Sequence, residues 1–192
     1  MSNIKDNLLS VLELKKLRRG KKLSKDDYHR ISVDIFSESL DFDFSEVIGR
    51  GKYSTVLRVW NESATRGFAM RVVLTEDIGP EEREWRRLRH RNLLNLLDTE
   101  DFPVFELTWF LSPVVELTLE DALVGKVFQN EPDAFELASS WIKEITSALG
   151  YLHEEELCFL NLKTSNVMIC NDRSIKLFGF HRLDRMDCIT TG

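Results

Sequence analysis

The sequence predicts an α+β fold. Three observations carry this: short apolar, β-branched runs recur between Phe44 and Glu116; a helix-period stripe lies between Asp133 and Glu154; two further short strands flank a polar turn. The chain has 192 residues, 43% hydrophobic and 30% charged, which suits one soluble globular domain with a tail. Twelve Phe and four Trp exclude disorder for most of it, and nine Gly with four Pro exclude collagen-like or low-complexity sequence. No run of about 18 apolar residues occurs, and the opening MSNIKDNLLS lacks a basic-then-apolar leader pattern. Cys158, Cys170 and Cys188 are odd in number and lack metal-ligand spacing, so reduced thiols and a cytoplasmic location are expected.

Residues 4–19 read as a short basic amphipathic helix, with Ile4, Leu8, Leu9 and Leu12 on one stripe and Gly20 as its stop; a polar connector follows to residue 40. Phe44 to Ile48 is strand-like and runs into Gly49-Arg50-Gly51. Val56 to Trp60 alternates as a second strand, and Phe68 to Val73 is a third. Glu81 to Leu88 is a short charged helix opened by Pro80. Phe105 to Glu116 holds one or two more strands. The clearest helix places Ala138, Trp141, Ile142, Ile145, Leu149 and Leu152 on one face. Val167 to Ile169 and Ile175 to Leu177 form a hairpin around Asn171-Asp172-Arg173.

Net charge is −6 and unevenly spread. Eight basic residues from Lys5 to Lys25 face only Asp6 and Glu13, so that segment is +6 and the remainder −12. An acidic body argues against nucleic acid as a partner. The basic segment reads as a solvated helix face; contact with an anionic membrane surface and a nuclear address are its alternatives.

The order of these elements, with motifs in register, resembles a eukaryotic protein kinase domain, in the manner of receptor-like and tyrosine-kinase-like members. Ile48-Gly49-Arg50-Gly51-Lys52-Tyr53-Ser54-Thr55-Val56 resembles the glycine loop that covers ATP phosphates, with Ser54 at the third glycine. Phe68-Ala69-Met70-Arg71 resembles the lysine-bearing third strand, Leu88 to Leu97 the stretch after helix αC, and Leu117 to Leu123 the segment after the hinge. Tyr151-Leu152-His153 and Cys158 to Asn166 resemble the end of αE and the catalytic loop. The resemblance implies a five-stranded antiparallel N-lobe with αC over 44–116 and a partial helical C-lobe over 117–192, in which the activation segment and lower helices are missing. It also implies a nucleotide site of Ile48, Gly49, Gly51, Val56, Ala69, Arg71, Lys163 and Asn166, with Glu81 as the αC partner and Glu84 as its alternative.

Three positions depart from that pattern. Arg71 stands where the phosphate-binding lysine is expected, and its forked guanidinium cannot occupy the same point. Phe159-Leu160-Asn161 replaces His-Arg-Asp, and a neutral amide cannot act as the base. Gly179-Phe180-His181 falls on Asp-Phe-Gly; a slip of one residue leaves Phe178-Gly179 as the remnant, and neither register supplies a carboxylate. No catalytic residue and no metal site are therefore expected, no cofactor is required, and any ATP binding should be weak and independent of magnesium. The implied function is that of a pseudokinase, a regulatory or scaffolding module bound to a protein partner such as an active kinase or receptor complex. A weakly active kinase and a truncated fragment without function are the alternatives.

Overall fold

The computed structural model describes residues 43–50, 54–60, 67–79, 83–103, 107–114, 116–128, 131–180 and 183–185. The expected N-terminal helix, Gly51, Glu81 and His181 lie outside them. The chain divides into two compact units, Met1–Asp77 with Leu97–Val114, and Ile78–Leu96 with Val115–Gly192.

The first unit is a five-stranded antiparallel sheet in the order β1-β2-β3-β5-β4. Its strands are β1 (Asp43–Arg50), β2 (Ser54–Trp60), β3 (Phe68–Leu74), β4 (Asp98–Phe102) and β5 (Leu107–Pro113). Alternation sorts the side chains: Leu57, Val59, Met70, Val72, Leu74, Leu107, Trp109 and Leu111 share one buried face. β5 is buried from Leu107 to Ser112, as suits a strand flanked on both sides. Strand β4 was not foreseen. Its sequence DTEDF is acidic and lacks an apolar period, because it is an edge strand whose charges discourage further pairing. The Thr108 hydroxyl, fully buried, donates to Asp101 Oδ1 at 2.7 Å.

In the second unit, β6 (Leu117–Thr118) leads into helix α1 (Leu119–Val124). Thr118 and Asp121 close a reciprocal capping box there. Helix α2 (Ala134–Glu154) matches the predicted span. Its buried face is turned from the predicted one: Trp141, Ala148 and Leu152 are buried, Ile145 and Leu149 are half-buried, and Ile142 is 64% exposed. Ala148 is fully buried, a small residue that a search for large apolar side chains passes over. Strands β7 (Leu157–Phe159) and β10 (Leu183–Arg185) pair with each other, and β6, β8 (Val167–Ile169) and β9 (Ile175–Leu177) form a three-stranded sheet. The β8–β9 turn is the predicted one: Asp172 accepts from Ser174 N and Oγ, and Arg173 adopts φ 65°.

Segment Ile78–Leu96 lies between strands of the first unit in sequence but belongs to the second. Of the helix expected at Glu81 to Leu88, Arg83 and Glu84 are helical and a turn to Arg87 follows, with Arg86 N donating to Arg83 O and Arg87 N to Glu84 O; its first residues lie outside the described ones. The loop after it is tied to β9 by Leu177 N to Asn92 O at 2.8 Å and Leu94 N to Leu177 O at 2.9 Å. Asn92 Nδ2 and Ile175 N both donate to Glu144 Oε2 on α2, at 2.9 and 2.8 Å. A Cβ added at Gly150 of α2 would meet nothing within 4 Å. Gly150→Ala is therefore expected to stabilise the chain by about 0.5–1 kcal/mol, read as a rise in the urea midpoint.

Candidate active site

In the first unit the strand register places Gly49, Val56, Arg71, Phe110 and Thr99 in one row across the sheet. Ala69 lies two residues from Arg71 on the same face, opposite Arg58 and Ser112. So Gly49, Val56, Ala69 and Arg71 are brought together by register alone. Ile48, one residue before Gly49, is 38% exposed. The Arg71 guanidinium carbon sits 5.6 Å from the centroid of the Phe110 ring, which is fully buried. That cation–π contact helps to hold a positive charge over this face. Phe110 was not singled out from sequence, because the contact depends on the β3–β5 register and not on any local motif.

In the second unit the loop after β7 brings three predicted positions into one cluster. Asn166 ends a 3-10 turn (Thr164–Asn166) and is 6% exposed. Its Nδ2 donates to the Asn161 carbonyl at 2.8 Å, and Phe178 N donates to the Asn166 carbonyl at 3.1 Å. Asn161 Nδ2 donates to the Gly179 carbonyl at 3.2 Å. An ionised carboxylate at 161 could not make that last bond, since it has no proton to donate. Gly179 has φ +89°, and a Cβ there would lie 3.0 Å from Cγ, Nδ2 and Oδ1 of Asn166. Lys163 is exposed beside this cluster. Phe159 is buried, whereas Leu160 is 50% exposed because it sits on the turn after β7.

Behind the cluster, Phe180 packs on Trp85 with ring centroids 5.1 Å apart and on Phe159 at 6.0 Å. Trp85 Nε1 donates to the Leu94 carbonyl at 2.7 Å. Trp85 was missed in the sequence, although it is the lone aromatic in a run of charges, Glu81 to Arg87. Glu84, the alternative αC partner, is bound within this unit by Arg87 and, at 3.5 Å, by Arg185. Hydrogen bonding from Arg87 holds its carboxyl below the ordinary value.

Magnesium takes oxygen ligands in near-octahedral array, carboxylates above all. The loop cluster offers the neutral amide oxygens of Asn161 and Asn166, and Gly179 contributes no side chain. These residues do not fit the metal that a phosphate-transfer site requires. Among the described residues no group of three or more His, Cys, Asp or Glu side chains could hold a metal ion. No helix among them is long and apolar enough to cross a membrane.

His90 lies on the loop before Asn92. Its ring stacks on Tyr151 at 5.2 Å, its Nδ1 accepts from Asn92 N at 3.1 Å, and its Nε2 is 3.2 Å from Ser147 Oγ. Burial first, then the charges of Arg91 and Lys176, hold its pKa below the ordinary 6.5. The unfolded chain therefore binds this proton more readily than the folded one. Its contribution to stability is complete above about pH 6.5 and falls as pH drops toward the lowered folded value. The melting temperature should decline between pH 7.5 and 5.5, and less steeply in His90→Gln.

Comparison with known proteins points to one family. The protein kinase domain model matches residues 42–186. Aurora kinase of Candida albicans is 28% identical over 154 residues, covering 73% of this chain and 27% of that protein. Myosin light chain kinase A of Dictyostelium discoideum is 27% identical over 136 residues, covering 67% and 44%. Calcium/calmodulin-dependent protein kinase type 1 of Caenorhabditis elegans is 29% identical over 142 residues, covering 68% and 38%. The chain thus spans 27% to 44% of the lengths of these relatives. With the family model covering most of the chain, and the antiparallel sheet, long helix and loop hairpin all in place, the chain belongs to the protein kinase family.

Proposed function

We propose that this chain is a catalytically impaired protein kinase, a pseudokinase that works as a regulatory or scaffolding module in kinase signalling. One observation carries the reading: positions 161 and 179 supply no carboxylate, and the Asn161 amide is committed to the Gly179 carbonyl. Phosphoryl transfer depends on positioning and charge neutralisation, so loss of the base and of the main metal ligand removes most of the rate. In this reading Gly179 stands at the Asp of Asp-Phe-Gly, which the burial of Phe180 against Trp85 and Phe159 supports. Arg71, Lys163 and Asn166, with Ile48, Gly49, Gly51, Val56 and Ala69, leave weak ATP binding that magnesium does not strengthen; Glu81 remains the proposed αC partner. The working partner is a protein, an active kinase or a receptor complex, met in the cytoplasm.

The expected result is no transfer of labelled γ-phosphate to a generic protein substrate, and no magnesium-dependent gain in melting temperature with ATP. Transfer that disappears in Asn166→Ala or Arg71→Ala would refute the proposal. It would favour residual phosphotransfer instead, the reading to which retention of Lys163 and Asn166 lends support.

A further inference from the structure

The geometry points to a docking surface for an acidic peptide segment of a partner protein, formed by Arg89 and Arg91 with Lys176 of β9. It is separate from the loop cluster and does not depend on whether the chain transfers phosphate.

The argument starts from charge. Five arginines, Arg83, Arg86, Arg87, Arg89 and Arg91, fall within nine residues of a chain whose net charge is −6. Arg87 is neutralised by Glu84 and Glu155. Arg89 and Arg91 are not treated in this way. Arg89 Nη1 donates to the backbone carbonyls of Arg86 and Leu88 at 2.9 and 2.8 Å, which fixes the guanidinium without cancelling its charge. Lys176 Nζ is pinned on the Arg91 carbonyl, and the Arg91 side chain is exposed. Among the described residues no carboxylate is bonded to Arg89, Arg91 or Lys176.

The nearby acids keep their charge but are bonded to none of these three cations. Glu144 accepts from Asn92 Nδ2 and Ile175 N, and Asp172, which senses Lys176, accepts from Ser174 N and Oγ at 3.0 and 2.6 Å. After burial, both charges that act on the His90 ring are cationic, those of Arg91 and Lys176.

The surface is also preorganised. Arg89 N donates to Tyr151 Oη at 2.9 Å, Asn92 is 2% exposed, and its side chain is bonded to both α2 and β9. A rigid cationic loop recognises anionic side chains with little ordering cost. A short peptide is favoured over a bilayer or nucleic acid because those extend far past the patch. They would meet the acidic remainder of the chain, whereas charge effects fade within about 8–10 Å at physiological salt.

The test is fluorescence anisotropy with the full chain and three labelled twelve-residue probes: a Glu/Asp-rich peptide, a phosphoserine peptide and a neutral Gln/Asn peptide. Either acidic probe should bind and the neutral one should not. The pair Arg91→Glu with Lys176→Glu should weaken binding at least tenfold, with Arg91→Gln and Lys176→Gln as the milder variant should the reversal unfold the chain. Melting temperature should stay within a few degrees in the variant used. The proposal is overturned if neither acidic probe binds, or if the variants bind as wild type does, which would assign binding to the basic segment Lys5–Lys25. Equal or tighter binding of single-stranded DNA or phosphatidylserine vesicles would overturn it too.

Discussion

Gly179→Ala is expected to destabilise the second unit by about 2–3 kcal/mol, lowering its melting temperature by on the order of 10 °C. Two costs combine. An L side chain at φ +89° is strained, and the new Cβ would sit 3.0 Å from three atoms of the Asn166 amide. Asn166 cannot yield freely, because its Nδ2 holds the Asn161 carbonyl. The second cost is removable and the first is not. Asn166→Ala added to Gly179→Ala should therefore cost less than the sum of the single changes, by a coupling of about 0.5–3 kcal/mol. Gly179→Asp should be at least as damaging as the alanine change. In the proposed register it would restore the family's residue type, but its larger side chain would crowd the Asn166 amide further. Thermal denaturation of the four variants, with and without magnesium, decides the matter; strictly additive costs would sink the account of Asn166 crowding.

Trp85→Ala is expected to cost about 3–5 kcal/mol, the usual toll for deleting a buried large aromatic. The ring is 6% exposed and packs on Phe180, and its N–H satisfies the Leu94 carbonyl. Trp85→Phe separates the two contributions: it keeps an aromatic ring against Phe180 and gives up the hydrogen bond, for about 1–2 kcal/mol. A double-mutant cycle of Trp85→Ala with Phe180→Leu should show coupling of about 0.5–1.5 kcal/mol. Urea unfolding gives the numbers directly. Additivity in that cycle would mean that the two rings are neighbours without being energetic partners.

What the sequence made legible follows the physics of each element. β2 alternates because one of its faces is buried, β3 reads as an apolar run that ends in three successive buried residues, and α2 shows a helical period because it packs on one side. β4 is an edge, and its acidic residues carry no burial signal. β7 and β10 are three residues each and pair across more than twenty intervening positions, so no local period marks them. Candidate site residues were legible as identities in motif order. Their arrangement was not, because Arg71 over Phe110 depends on strand register and the Asn161–Asn166–Gly179 cluster on hydrogen bonds between segments. The buried face of α2 misled because it was read from large apolar side chains, whereas the small Ala148 is fully buried and Ile142 is exposed.

The route of the chain has a consequence for its synthesis. Segment Ile78–Leu96 leaves the ribosome between two strands of the first unit, yet the groups that satisfy it come much later. Asn92 Nδ2 donates to the Ile175 carbonyl across 83 residues. At about 5–20 residues per second, Leu93 and Leu94 emerge roughly 4–16 s before β9 exists to pair with them. β5 likewise cannot close onto β3 until this excursion has been made, so the first unit carries a dangling apolar loop while its own sheet completes. The nascent chain is therefore expected to engage a holding chaperone in that interval. Ribosome-bound chains ending near residue 130 should be captured by one, and chains extended by enough residues to release β9 from the exit tunnel should not.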